Sequence, residues 1–127
     1  MKFLIIDDEP LVRRSLSRAL QARGHECDEA VDGHDGLSKW ESQRPDAVFV
    51  DILMPGLSGP DVVRRILTNE EILKDRPTIA LISAFSGEDS EKLAKECGAA
   101  CFIAKPFEDI FAVVDRVIAM AKKKGAS

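Results

Sequence analysis

Four groups of polar residues stand where apolar runs end, and together they could handle a phosphoryl group. Asp7-Asp8-Glu9 follows Phe3-Leu4-Ile5-Ile6, and Asp51 follows Ala47-Val48-Phe49-Val50. Ser83-Ala84 follows Ile79-Ala80-Leu81-Ile82, and Lys105-Pro106 follows Cys101-Phe102-Ile103-Ala104. Carboxylates crowded together repel and raise one another's pKa unless a cation sits among them. Oxygen-only donors, with no histidine or thiolate beside them, suit a hard ion and Mg²⁺ before others. Such an ion keeps several waters and leaves a position for a phosphoryl oxygen. Lys105 offers a point charge for a second oxygen and the Ser83 hydroxyl a donor for a third. The set fits in-line phosphoryl transfer with an aspartate as nucleophile.

For these residues to meet, the runs before them must be neighbouring strands with a common direction. The pattern predicts strands over 3–6, 25–30, 46–50, 78–82 and 100–104, the second a weaker, mixed edge strand. Between them it predicts helices over 10–23, 36–43, 60–67, 88–97 and 108–123. Pro10 opens the first helix, with Leu11, Val12, Ser15, Leu16, Ala19 and Leu20 on one face, and Gly24 closes it. Ser58 or Gly59 caps the third, with Pro60 at its first position, and the charged stretch 69–76 reads as helix end and surface loop. Strict β-α alternation means a parallel sheet covered on both faces, hence a doubly wound α/β fold of five strands and five helices. In such sheets ligands bind beyond the carboxyl ends of the strands, where the winding reverses.

A chain of 127 residues, 45% hydrophobic and 31% charged, is one domain with a core that needs no metal or disulfide support. A net charge of −4 argues against direct nucleic-acid binding; Lys122-Lys123-Lys124 suits a helix C-terminus. No stretch has the length of a membrane span or the pattern of a signal peptide, so the expectation is a cytoplasmic protein with no membrane contact. Cys27, Cys97 and Cys101 are odd in number and lack C-x-x-C spacing, which reads as reduced, partly buried thiols.

Asp-Asp-Glu, Asp-x-x-Met-Pro-Gly, Ser-Ala and Lys-Pro-Phe, in that order at four strand ends, resemble the response-regulator receiver domain of two-component signalling. The resemblance, closest in kind to chemotaxis regulators, covers residues 2 to about 121 and makes residues 1–127 a single receiver domain. It implies a flavodoxin-like sheet of strand order 2-1-3-4-5. Asp51 would accept phosphate from a sensor histidine kinase or a histidine phosphotransfer protein. Asp8 would bind Mg²⁺ directly, Asp7 directly or through water, and Asp51 and the Leu53 carbonyl would complete the shell. Ser83 and the Ala84 amide would hold phosphoryl oxygens, and Lys105 would pair with the phosphate. The Lys105–Pro106 bond is a candidate cis peptide. Phe102, with Ser83, matches the family's aromatic switch pair. The resemblance makes the chain a signalling switch rather than a turnover enzyme, serving as a relay intermediate or as the receiver of a longer transcriptional regulator.

Leu53 and Phe85 stand two residues past Asp51 and Ser83, where apolar groups would impede an attacking water and prolong an acyl phosphate. In the last helix, at about 100° per residue, Phe111 and Ile118 fall at one edge of the apolar arc and Val113 and Met120 at the other. So wide an arc, with the polar fourth predicted helix and the Phe102 strand, suggests an output-partner face; denser core packing is the alternative. A phosphatase of the aspartyl-phosphate type joins the same residue types but places its nucleophile after the first strand, beneath a cap for which 127 residues leave no room. A flavin-binding role lacks a Ser/Thr/Gly-rich loop after strand one.

Overall fold

The computed structural model describes residues 1–84 and 88–125. Five strands, β1 (Lys2–Ile6), β2 (Glu26–Ala30), β3 (Ala47–Asp51), β4 (Thr78–Ser83) and β5 (Cys101–Ala104), pair in parallel in the order β2-β1-β3-β4-β5. The helices are α1 (Pro10–Ala22), α2 (Gly33–Gln43), α3 (Gly59–Leu67), α4 (Glu70–Asp75), α5 (Glu88–Cys97) and α6 (Ile110–Gly125). From β1 the chain winds first to β2 and then back past β1 to β3, so the switch point lies between β1 and β3.

The apolar runs alternate between the two faces although no polar residue marks the alternation. Phe3, Ile5, Ala47, Phe49, Ala80 and Ile82 pack against Leu16 and Leu20 of α1 and Val114, Val117 and Ile118 of α6. Leu4, Ile6, Val48, Val50, Ile79 and Leu81 face Trp40 of α2, Val62, Val63 and Ile66 of α3, and Ala94 of α5. Burial stabilises each of the larger strand side chains (Leu, Ile, Val and Phe) by about 1.5–3 kcal/mol, which is why these strands tolerate no polar position short of their ends.

Several expectations need correction. Among the described residues the sheet carries six helices, because 70–75 forms a short helix of its own. Asn69 caps it by accepting hydrogen bonds from the Glu71 and Ile72 amides, and Arg76 ends it in the left-handed region at φ 53°. Ser58, not Gly59, is the cap of α3 and accepts from the Asp61 amide. Leu11 is 79% exposed rather than core. Ile118 is 6% exposed and belongs to the core; Val113 and Met120 pack half-buried beside it. Phe111, 38% exposed, lies under the Arg23 guanidinium, which sits 4.5 Å from its ring centroid. Most of the wide arc of α6 is thus core packing, since the helix lies on the sheet and also touches α1. Cys27, Cys97 and Cys101 are free thiols whose pKa values burial raises, Cys27 to about 11.

Candidate functional site

The carboxyl ends of β1, β3 and β5 deliver their side chains to one pocket. At the β1 exit the Asp7 amide still donates to the Ala30 carbonyl at 3.2 Å, so its side chain keeps the register of the strand. The Asp7 carboxylate is fully buried, and its Oδ1 accepts the Glu9 amide at 2.9 Å, folding the acidic turn back on itself. Arg13 of α1 donates from Nη1 to the Asp7 carbonyl at 2.6 Å, with Nε 3.3 Å from Glu29 Oε1 of β2.

Asp51 is the last residue of β3 rather than the first beyond it, paired with Ile82. The chain then turns tightly: the Ile52 amide donates to the Ile82 carbonyl at 2.9 Å, and the Gly59 amide to the Ile52 carbonyl at 3.0 Å. Gly59 is needed for this approach, because a Cβ there would collide with the Asp51 carbonyl oxygen. The start of α3 is thereby pressed against the Asp51 backbone.

At the β5 exit the Lys105 amide donates to the Ser83 carbonyl at 2.8 Å, and the Lys105–Pro106 bond is cis. The ammonium reaches across the pocket, with Nζ 2.8 Å from Asp7 Oδ2, 2.9 Å from Glu9 Oε1 and 3.3 Å from Asp51 Oδ2. Burial alone would lower the lysine's pKa, but the close pairing with the Asp7 and Glu9 carboxylates and the charge of Asp51 hold it above its usual value. Burial and the neighbouring Asp7 charge push the Asp51 carboxyl up to about 6, against the pull of Lys105 and a hydrogen bond from the Leu53 amide.

Carboxylate oxygens of Asp7, Asp8, Glu9 and Asp51 lie within 4.8 Å of one another. Among the described residues, four carboxylates stand against one ammonium, which leaves this cluster negative. Asp7 Oδ2 is buried and, despite its close ion pair with Lys105, receives no well-aligned hydrogen bond among the described residues. An oxygen of that kind, in an all-oxygen donor set, fits a hard divalent cation.

The remaining predicted residues fall around this center. Ser83 is buried at the end of β4, and Ala84 is exposed beside Lys105 at the edge of a cavity of about 350 Å³. Pro106, Glu9, Leu11 and Val12 also line that cavity. Leu53 is 55% exposed. Phe102 is half-buried, paired with Leu81 and packed against the core under α3 and α5. Phe85 lies outside the described residues. Sequence reasoning counted Glu9 among the acids without assigning it to Lys105, and it missed Arg13 and the close approach at Gly59. Only the glycine had a visible signal, in its place between the cap and Pro60.

A doubly wound sheet with an acidic, lysine-bridged pocket at its switch point defines the receiver class of signalling domains. The chain belongs to that family: the model of the response regulator receiver domain matches residues 3–116. Transcriptional regulatory protein PrrA of Mycobacterium leprae is 35% identical over 126 residues, spanning 99% of this chain and 52% of that protein. The phosphate regulon transcriptional regulatory protein PhoB of Pseudomonas aeruginosa is 36% identical over 104 residues, 82% of this chain and 44% of its own length. The chain therefore spans about half the length of these curated relatives. Among solved structures, the chemotaxis response regulator CheY4 of Vibrio cholerae superposes with a TM-score of 0.82 at 28% identity, covering 91% of this chain and 97% of its own. A CheY-like receiver domain from Methanospirillum hungatei shares the fold with a TM-score of 0.87 at 18% identity, over 98% and 96% of the two chains. Among the described residues no helix is long and apolar enough to cross a membrane.

Proposed function

We propose that residues 1–127 act as a single phosphoacceptor switch in which Asp51 takes a phosphoryl group from a phosphohistidine of a sensor kinase or phosphotransfer protein. The observation that carries this reading is Lys105, whose ammonium touches Asp7 and Asp51 together and so ties the acid turn of β1 to the lone aspartate of β3. In the transfer the P–N bond of phosphohistidine breaks as a bond from an Asp51 oxygen to phosphorus forms, and the departing imidazole keeps the electron pair. Asp51 attacks as the carboxylate; a pKa of about 6 leaves it ionised at neutral pH. Asp7, Asp8, Asp51 and the Leu53 carbonyl would hold Mg²⁺, which when bound supplies positive charge to the phosphoryl oxygens. Lys105 pairs with one of those oxygens, and Ser83 and the Ala84 amide take others. The turn of Ser83 toward the phosphoryl group frees space into which Phe102 moves, changing the surface shared by α5, β5 and α6 for an output partner. The domain is a switch rather than a turnover enzyme.

That the curated relatives are transcriptional regulators favours service as the receiver of such a regulator over a relay intermediate. Incubation with acetyl phosphate or phosphoramidate, followed by intact-mass measurement, tests the core of the proposal. Wild type should gain one phosphoryl group only with Mg²⁺, and Asp51→Ala none. A gain that survives Asp51→Ala would sink it.

A further inference from the structure

The Lys105 ammonium has three hydrogens to donate, and three carboxylate oxygens already crowd it. Asp7 Oδ2 stands at 2.8 Å, Glu9 Oε1 at 2.9 Å and Asp51 Oδ2 at 3.3 Å. The well-aligned hydrogen bond of the ammonium goes to Glu9, and Asp7 and Asp51 meet it as ion pairs, so a phosphoryl oxygen arriving on Asp51 needs a place in a crowded shell and one carboxylate has to give way. Asp7 is badly placed to do so, since its side chain is fully buried and its Oδ1 and carbonyl are held by the Glu9 amide and Arg13. Asp51 carries the incoming group and stays. Glu9 differs from both. Its side chain is 58% exposed, and although it is the N-cap residue of α1 it makes no capping hydrogen bond. Water can take over its carboxylate at little cost, which is not true of the other two.

From this arrangement, and resting on the phosphoacceptor reading above, we infer that Glu9 is a placeholder. Its carboxylate occupies, in the unmodified protein, the Lys105 position that a phosphoryl oxygen of modified Asp51 takes, and it swings into solvent when that oxygen arrives. Glu9 is then a positioning residue, acting on the reaction through Lys105. It keeps the lysine aimed into an otherwise anionic pocket, and it sets a threshold that a weakly bound free anion must overcome. A metal-shell role is the competing assignment, since the Glu9 carboxylate also lies within reach of the other three acids.

Titration of the chain with beryllofluoride at saturating Mg²⁺, by calorimetry, tests the idea with Glu9→Gln and Glu9→Asp. Both variants should bind the phosphoryl analogue about two- to fivefold more tightly than wild type, the range an exposed ion pair commands. The gain should shrink as salt screens the pair. Glu9→Asp keeps the charge but is too short to hold the same contact, so it separates a displaced contact from plain repulsion. Glu9→Asp behaving as wild type, or Glu9→Gln showing no gain, overturns the placeholder role. So does a loss of about tenfold or more in Mg²⁺ affinity for Glu9→Gln, which is what a metal-shell group would give. Thermal melts of both variants matching wild type would confirm that folding is unaffected. A wild type that binds neither Mg²⁺ nor beryllofluoride defeats the phosphoacceptor reading itself and the Glu9 role with it. A wild type that binds both, with variants that gain nothing, defeats the Glu9 role alone.

Discussion

Replacing Asp51 with asparagine should make the metal-free protein more stable at neutral pH, although it removes the residue on which the proposed function turns. Burial and the Asp7 charge raise the Asp51 carboxyl from 3.8 to about 6, so the fold resists ionising it. A rise of that size corresponds to about 3 kcal/mol disfavouring the carboxylate. That rise already counts the pull of Lys105 at 3.3 Å, and asparagine escapes it, giving back about 1 kcal/mol because an amide matches the hydrogen bonds of the site less well. The net gain is then about 1–2 kcal/mol, or about 3–8 °C in Tm for a domain of this length. The pH dependence follows from the sign of the shift. A carboxyl with a raised folded-state pKa contributes stability that is fully present below 3.8 and lost as pH rises through about 6. The advantage of Asp51→Asn over wild type should therefore be absent near pH 4, grow up to pH 6 and be complete at about pH 7.5. Calorimetric melts of both proteins in EDTA at constant ionic strength read this directly. Adding Mg²⁺ at about ten times its Kd should return about 1.4 kcal/mol to wild type and less to the variant, which has one charge fewer for the ion. An Asp51→Asn protein no more stable than wild type at neutral pH, or a gain that does not vary with pH, would refute the picture of an electrostatically frustrated pocket.

Two further substitutions probe how the pocket is built and what leaves it. Gly59→Ala puts a methyl group into the Asp51 carbonyl and within 3.0 Å of the Ile52 Cα; denaturant melts should show a loss of about 1–3 kcal/mol, with weaker Mg²⁺ binding as the end of β3 shifts. Leu53→Asn places a polar side chain at the exposed mouth of the site, able to orient water, and should shorten the life of the Asp51 acyl phosphate about threefold or more. Mass spectra taken over time after removal of the phosphodonor follow the decay, and an unchanged rate would dismiss the idea that Leu53 shields the phosphoryl group.

The convergence of Asp7, Asp8, Asp51 and Lys105 was legible because a parallel sheet leaves little choice. Once the apolar runs before them are strands with a common direction, every residue just past a run lands on the same edge, and order along the chain stands in for proximity. The elements that were misread lacked that leverage. The helix Glu70–Asp75 spans six residues, too few for a period to show, and only the Asn69 cap announces it. Leu11 has the right spacing for the buried face of α1, yet it sits in the first turn, beside the cavity near Lys105. Periodicity says which way a side chain points, not whether anything lies there to cover it. Ile118 fails in the opposite direction: its place at the edge of the arc looked exposable, but α6 is flanked by α1 as well as by the sheet, and the flank covers it.

The pairing of Glu9 with Lys105 belongs to a third kind of omission, and it explains why the site was legible in its members but not in its resting state. The two residues are 96 positions apart, and their contact depends on how far a flexible ammonium reaches once the backbone has placed it. A strand end fixes where a side chain starts, but not which of several acids it will choose. That choice is made by burial: Asp7 and Asp51 are too enclosed to turn to water, so they hold the lysine on one side, while Glu9 completes its shell from the solvent side. The permanent part of the pocket is therefore written in the order of strands. The displaceable part depends on exposure, which only the assembled structure reveals.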